Sequence, residues 1–202
     1  MTTSPADFPD EAALVAQAAR SPAAFVRLYR RYYPRIYNYM RYRCDDRATA
    51  EDLTAQVFER LLSKIGAYHP ERGPFSGWLF AIARNLVTAH RRAIQRRLGI
   101  SIETLRRWPS NQPGPEEAIL QHEAQAELLA AVSHLAERER DLLALKFAAL
   151  LTNRRIATLT GLSESNVGVI LHRAIYRLRD ELARREAPRS PESGKEGSYE
   201  EN

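Results

Sequence analysis

Cysteine is almost missing from this sequence: Cys44 is the single one in 202 residues. One thiol excludes an internal disulfide and any multi-cysteine metal site, and it fits a reducing compartment. Long apolar runs are missing too. The longest, residues 142–151, holds ten residues and contains Lys146, too short to cross a bilayer. The N-terminus carries Asp7, Asp10 and Glu11 where a secretory signal needs basic residues. The five histidines, His69, His90, His122, His134 and His172, show no metal-ligand spacing. No carboxylate pair stands with a histidine, and no glycine-rich phosphate loop or nucleophile motif occurs. These absences predict a soluble, cytoplasmic chain that is not an enzyme, with no catalytic residue, metal or cofactor and no direct membrane contact.

What is present is a globular balance with uneven charge. Hydrophobic residues make up 44% and charged ones 27%, which excludes wholesale disorder. The length allows one average domain or two small ones. The net charge of +5 conceals a polarity: residues 1–19 hold three acids and no base, whereas residues 20–97 hold sixteen Lys/Arg against six Asp/Glu. A basic block bounded by acidic segments points to an anionic partner such as nucleic acid; solvated helix faces are the plainer explanation.

Hydrophobic periodicity is helical throughout, with no convincing strand and no internal repeat. Ser21-Pro22 reads as an N-cap and a first-turn proline. They open an amphipathic helix over Phe25, Leu28, Tyr29, Tyr32, Ile36 and Tyr39 or Met40, which Pro34 should kink or split. Asp45-Asp46 start a second helix, with Ala50, Leu53, Val57, Leu61 and Ile65 inside and Gly66 as its stop. Residues 68–74 read as a loop, and a third helix runs from Phe75 to Arg96-Arg97. Residues 99–115 have the composition of a flexible linker. A helix from Glu116 to Leu135 follows, then one marked by Leu142, Leu143, Leu145, Phe147 and Leu151. Short helices flank Gly161, and the last continues to about Arg185. The reading is all-α: a segment 1–20, a domain 21–98, the linker 99–115, a domain 116–187 and a disordered tail 188–202.

Three surfaces carry candidate chemistry. Between Thr152 and Arg179 the spacing fits a helix-turn-helix. Ala157 is small where the helices cross, Gly161 tolerates positive φ in the turn, and Val167 locks the second helix. Ser163 is placed to cap that helix, whose outward face offers Ser165, Asn166, Val169, Arg173 and Arg177, with Arg154 and Arg155 on the helix before it. In a DNA-reading motif the first turn approaches base edges and later cations meet phosphates; a plain helical hairpin with a wet polar face is the other reading. In the first domain Phe75, Trp78 and Phe80 precede Arg84-Asn85 and then Arg91-Arg92 and Arg96-Arg97. Single-stranded nucleic acid stacks on rings while cations follow its backbone, and Asn85 offers a donor and an acceptor to an unstacked base. Rings in a bundle core and arginines solvating a helix end are the alternatives. Lastly, Glu51, Asp52, Gln56 and Glu59 form an acidic–polar stripe. It would repel nucleic acid and suit a basic protein surface, or simply be solvated.

The runs Ala50-Glu51-Asp52-Leu53 and Phe75-Ser76-Gly77-Trp78-Leu79-Phe80-Ala81-Ile82-Ala83-Arg84-Asn85-Leu86 resemble region 2 of the sigma-70-family bacterial sigma factors. Leu135-Ala136-Glu137-Arg138-Glu139-Arg140, Ile156-Ala157, Gly161-Leu162-Ser163-Glu164 and Leu171-His172-Arg173-Ala174 resemble region 4. Two such domains on a short linker are the layout of the extracytoplasmic-function group. The resemblance implies a region 2 bundle and a region 4 helix-turn-helix in a subunit of RNA polymerase. That subunit binds the core enzyme, recognises the −35 and −10 promoter elements and promotes melting. It further implies that Glu51, Asp52, Gln56 and Glu59 meet the clamp helices of the largest polymerase subunit. Trp78, Arg84, Asn85, Arg91 and Arg92 would hold the single strand at −10. Ser165, Asn166, Val169 and Arg173 would face the −35 duplex, beside the Arg154, Arg155 and Arg177 of the helix-turn-helix reading. An anti-sigma factor that packs the domains together is the implied regulator.

Three departures from the family pattern stand out. Ala89 replaces an acidic residue, and Asn153-Arg154-Arg155 replaces an acidic pair. Gly168 and Ile170 stand where lysine and arginine are common; a glycine there costs the helix about 1 kcal/mol but lets backbone approach DNA. The competing class is an autonomous helix-turn-helix regulator with an N-terminal sensor or dimerisation bundle. Such a bundle has no use for a helix carrying Trp78, Arg84 and Asn85.

Overall fold

The computed structural model describes residues 11–98 and 119–186, which fold into eight α-helices with no strand among the described residues. They are α1 (Glu11–Ala18), α2 (Pro22–Arg43), α3 (Arg47–Lys64) and α4 (Phe75–Leu98), then α5 (Ile119–Ser133), α6 (Glu137–Leu143), α7 (Asn153–Thr160) and α8 (Glu164–Glu186). The predicted linker and tail lie outside the described residues.

Local chemistry sets the helix ends. Ser21 Oγ accepts from the Ala24 amide at 3.4 Å, with Pro22 in the first turn. Asp46 Oδ1 accepts from the Thr49 amide at 2.7 Å, and Ser63–Lys64 lead into a 3-10 turn at Ile65–Ala67 rather than a clean stop at Gly66. Thr152 and Ser163 cap α7 and α8 in the same way, through the amides of Arg155 and Asn166. Each cap satisfies a donor the helix itself cannot, typically worth about 1 kcal/mol. Gly161, at φ 74°, closes α7 with its amide on the Ala157 carbonyl at 2.9 Å, a left-handed position that glycine adopts without steric cost.

The first bundle wraps α1, α3 and α4 around α2, whose Leu28, Tyr32, Ile36, Tyr39 and Met40 are completely buried. The second bundle packs α6, α7 and α8 on Leu142, Leu145, Leu151, Ile156 and Val167. Both faces of the arrangement belong to one continuous core, because α2 also packs against α6 and the turn that follows it.

Three local expectations are corrected. The sequence pattern assigns no element to residues 1–20, yet α1 is helical and buries Leu14, Val15 and Ala18 against α2. Eight residues carry too little periodicity to stand out, and tertiary packing supplies the stability that an isolated short helix lacks. Pro34 does not split α2, which is unbroken over 22 residues. The missing N–H removes one hydrogen bond, but Tyr32 and Ile36 on either side are anchored in the core. Residues 142–151 do not form one helix. Regular structure ends at Leu143, a wide π-type turn spans Ala144–Ala148, and Leu150 adopts φ 56°. That turn buries Ala144, Leu145 and Ala148 against α2 instead of following a single helical face.

Candidate nucleic-acid interface

The segment before α4 is shaped by its glycine and prolines. A 3-10 turn at Pro70–Arg72 ends on Gly73 at φ 137°, whose carbonyl accepts from Tyr68 Oη at 2.9 Å. This holds the Tyr68 ring edge-on to Phe75 (centroids 5.3 Å) and beside Trp78 (5.5 Å). Of the three rings in the motif, Phe75 and Phe80 are core residues, Phe80 lying against Tyr39 and under the Arg35 guanidinium. Trp78 alone is half-buried and keeps a face near the surface. About two and four turns further along, Asn85 and Arg92 are exposed.

Arg84 and Arg91 have a different setting. Arg84 Nε donates to Asp141 Oδ2 at 2.7 Å, and Arg91 Nη2 lies 3.0 Å from Glu137 Oε2. Arg43 joins both acids: Nη2 reaches Glu137 Oε1 at 2.9 Å, Nη1 the Glu137 carbonyl at 3.0 Å, and Nε lies 3.5 Å from Asp141 Oδ1. Tyr39 Oη completes the group by donating to Asp141 Oδ1 at 2.9 Å. The Arg43 and Asp141 side chains are only 2% and 8% exposed, so this is an interior ion cluster. Burial works against the Arg43 charge, but Tyr39, Asp141 and Glu137 outweigh it and hold the guanidinium more firmly protonated. Burial and the Asp141 carboxylate push the Tyr39 phenol well above its usual range.

The same interface runs in the opposite direction. Arg140 of α6 pairs with Asp45 Oδ1 at 2.7 Å and donates to the Cys44 carbonyl at 3.0 Å and to the Tyr42 carbonyl. Arg35 donates to the Ala149 carbonyl. The Cys44 thiol, enclosed here, is pushed up to about 12 by burial, so it stays a protonated, unreactive packing group.

In the second bundle Ser165, Asn166, Val169 and Arg173 are all exposed along the first turns of α8. Gly168 faces back toward α7, where an added Cβ would lie 3.9 Å from Asn153 Nδ2; Asn153 Oδ1 in turn accepts from Lys146 at 3.0 Å. Arg154 is exposed and 3.8 Å from Glu164, while Arg155 is half-buried. Arg177 is not directed outward alone: it pairs with Glu139 Oε1 at 2.7 Å, and Glu139 Oε2 accepts from the Ala136 amide that begins α6. In the first bundle Glu51, Asp52, Gln56 and Glu59 line one exposed face of α3, opposite the buried Leu53, Val57 and Leu61; Glu51 is paired with Arg47 at 2.7 Å.

The structure therefore leaves Asn85, Arg92, the α3 stripe and the start of α8 open to partners, and draws the half-buried Arg84 and Arg91 into ion pairs; Arg177 is paired too but stays exposed. Sequence reasoning missed Tyr39, Arg43, Glu137, Arg140 and Asp141. The available signal was Arg43 standing four residues after Tyr39 on the apolar stripe of α2, a position where an unpaired charge would be costly.

These features define a two-bundle helical protein with a helix-turn-helix, an aromatic–arginine helix and a separate acidic stripe. The family Sigma-70 region 2 matches residues 28–97, and Sigma-70, region 4 matches residues 125–178. The chain is 33% identical over 178 residues to the ECF RNA polymerase sigma factor BldN of Streptomyces coelicolor, covering 86% of this chain and 67% of that protein. It is 33% identical over 138 residues to the ECF RNA polymerase sigma factor ShbA of Streptomyces griseus, covering 67% and 72%. A solved structure of the sigma factor RpoE with the anti-sigma factor NepR from Bartonella quintana matches in fold with a TM-score of 0.65 at 20% identity, over 79% of this chain and 96% of that one. The chain belongs to the extracytoplasmic-function group of the sigma-70 family: it is an RNA polymerase sigma factor, which binds the core enzyme and directs promoter recognition and transcription initiation.

Proposed function

We propose a division of that work between the bundles, with residues 21–98 and 116–187 as the two domains. The first bundle captures the single strand at −10. Asn85 reads an unstacked base beside Trp78, and Arg84, Arg91 and Arg92 meet phosphates. The second bundle reads the −35 duplex through Ser165, Asn166, Val169 and Arg173, with Arg154 and Arg155 on the backbone; Arg177 acts chiefly by buttressing α6 through Glu139. Glu51, Asp52, Gln56 and Glu59 dock on the polymerase. The observation that carries this reading is the coexistence of an exposed Asn85 and Arg92 on a ring-anchored α4 with an exposed, Ser163-capped recognition turn on α8.

The mechanism is an exchange of contacts. Phosphate neutralisation supplies salt-dependent affinity, and base-edge contacts supply choice of sequence. Unpairing costs a few kcal/mol per extruded base, which stacking and a hydrogen-bonded pocket offset. The work is that of a cytoplasmic, non-enzymatic initiation factor, and the fold shared with a sigma factor solved together with its anti-sigma factor supports an anti-sigma factor as regulator of this chain too. Run-off transcription with core polymerase tests the division. Asn85→Ala should leave promoter binding in place and reduce open complexes, whereas Arg173→Ala should weaken closed-complex binding by about 1–3 kcal/mol, roughly tenfold. Equal loss of both steps in both variants would refute the division.

A further inference from the structure

We infer that this chain selects a thymine in the −35 element, and that Val169 does so by packing on the C5-methyl group of that base in the major groove. The inference deepens the reading above and rests on its assignment of α8 to the −35 duplex.

Helical geometry puts Val169 in the middle of the presented face. At about 100° of rotation per residue it lies between Ser165 on one side and Arg173 and Asn166 on the other. Those three side chains are exposed, and Val169 itself is 44% exposed. Val167, Leu171 and Ala174 are buried on the opposite side of the helix. The residues next to Val169 leave it uncovered. Gly168 has no side chain, and a Cβ there would lie 3.9 Å from Asn153 of α7. Ile170 is partly buried and packs against the core. The centre of the face is therefore short and apolar, with hydrogen-bonding side chains at its edges.

Chemistry then picks the base. The edges displayed in the major groove are donors and acceptors, apart from the thymine methyl. Valine has neither a donor nor an acceptor. Pressed on an amino group, a ring nitrogen or a carbonyl, it would strip water from that group and return no hydrogen bond. On a methyl it removes apolar surface from water at both partners. A β-branched side chain on a helix also holds one main rotamer, so both valine methyls are in place before DNA arrives and little side-chain freedom is lost on binding. The missing side chain at Gly168 lets the helix backbone come close enough for that contact.

The test uses holoenzyme reconstituted from the full chain and core polymerase. Promoters are selected from a duplex library randomised across both elements. The −35 thymines of either strand are then replaced one at a time by uracil, which pairs alike but lacks the methyl. At one of them the replacement should weaken closed-complex binding by wild type about fourfold, the value of one buried carbon. Val169→Ala, at an exposed position where alanine favours the helix, should bind the thymine and uracil promoters alike. Arg173→Ala should weaken binding to both and keep their ratio. A selected −35 element without thymine, wild-type indifference to uracil at every position, or an undiminished preference in Val169→Ala would each overturn the methyl contact and leave −35 reading in place. Selected promoters that share no −35 sequence at all would overturn the assignment of α8, and the inference with it.

Discussion

In the first bundle the largest fully buried side chains are rings: Tyr32 and Tyr39 of α2 stand edge-on to Phe75 and Phe80 of α4, with centroids 5.3 and 5.7 Å apart. In the second they are aliphatic, Leu142, Leu145 and Leu151 foremost, and its described rings Phe147 and Tyr176 are exposed. Rings give the first bundle two properties. Their size locks α4 against α2, which fixes the direction in which Trp78 and Asn85 point. Their hydroxyls also give the core donors at its edge, so Tyr32 can serve the buried Glu11 and Tyr39 can serve Asp141. The second bundle relies on small residues where helices cross, with Ala157 and Ala174 buried and Gly161 in the turn. The first is therefore a stiff platform with polar contacts built into its rim, and the second a tight reader whose orientation depends on what that rim holds.

The comparison can be broken at three places, in order of expected effect. Leu145 is fully buried in the wide turn that packs on α2, so Leu145→Ala should cost about 2–5 kcal/mol in urea unfolding. Leu62→Ala, at a position 60% exposed on α3, should stay within about 0.5 kcal/mol. A small loss at Leu145 would mean that the two bundles do not share a core. Next, Tyr39→Phe removes the hydroxyl from a closed ion cluster and leaves an Asp141 oxygen without its phenol donor; the expected cost is about 1–3 kcal/mol. The same exchange at Tyr176, whose ring is exposed, should be close to neutral, and equal effects would erase the distinction between rim and surface hydroxyls.

The smallest effect concerns the caps, where the bundles should behave alike. Asp46→Ala and Thr152→Ala should each cost about 1 kcal/mol. They differ in pH dependence. Partial desolvation opposes ionisation of Asp46, but the Thr49 amide holds its carboxyl below the usual carboxylate range. A depressed folded value means that the contribution is complete above about pH 4, the unfolded value, and is lost as pH falls through the lower folded one. The Asp46→Ala penalty should therefore shrink in that acidic window, whereas the Thr152→Ala penalty should not. Parallel pH profiles would place the Asp46 stabilisation elsewhere than in the charged cap.

Much of the fold was legible because it is local. Caps at Ser21, Asp46 and Ser163 follow from a polar side chain preceding a periodic run, and Gly161 from the need for positive φ. The inward set of α3 and the outward set of α8 follow from a period of 3.6 residues, so the exposed stripe from Glu51 to Glu59 and the exposed Ser165, Asn166, Val169 and Arg173 are where that period puts them. The helix α1 and the wide turn after Leu143 were not legible, since both exist by packing on α2 rather than by a pattern of their own.

By itself the amino-acid order determined that this chain is all-helical, basic in its first half, furnished with a helix-turn-helix and built on the sigma-70 plan. Only the tertiary structure decided which arginines are available. Arg43 meets Glu137 across 94 positions of chain, and Arg84 meets Asp141 across 57. Residues so far apart are juxtaposed by how one bundle seats on another, and helical periodicity says which face a side chain takes but not which distant face it will meet.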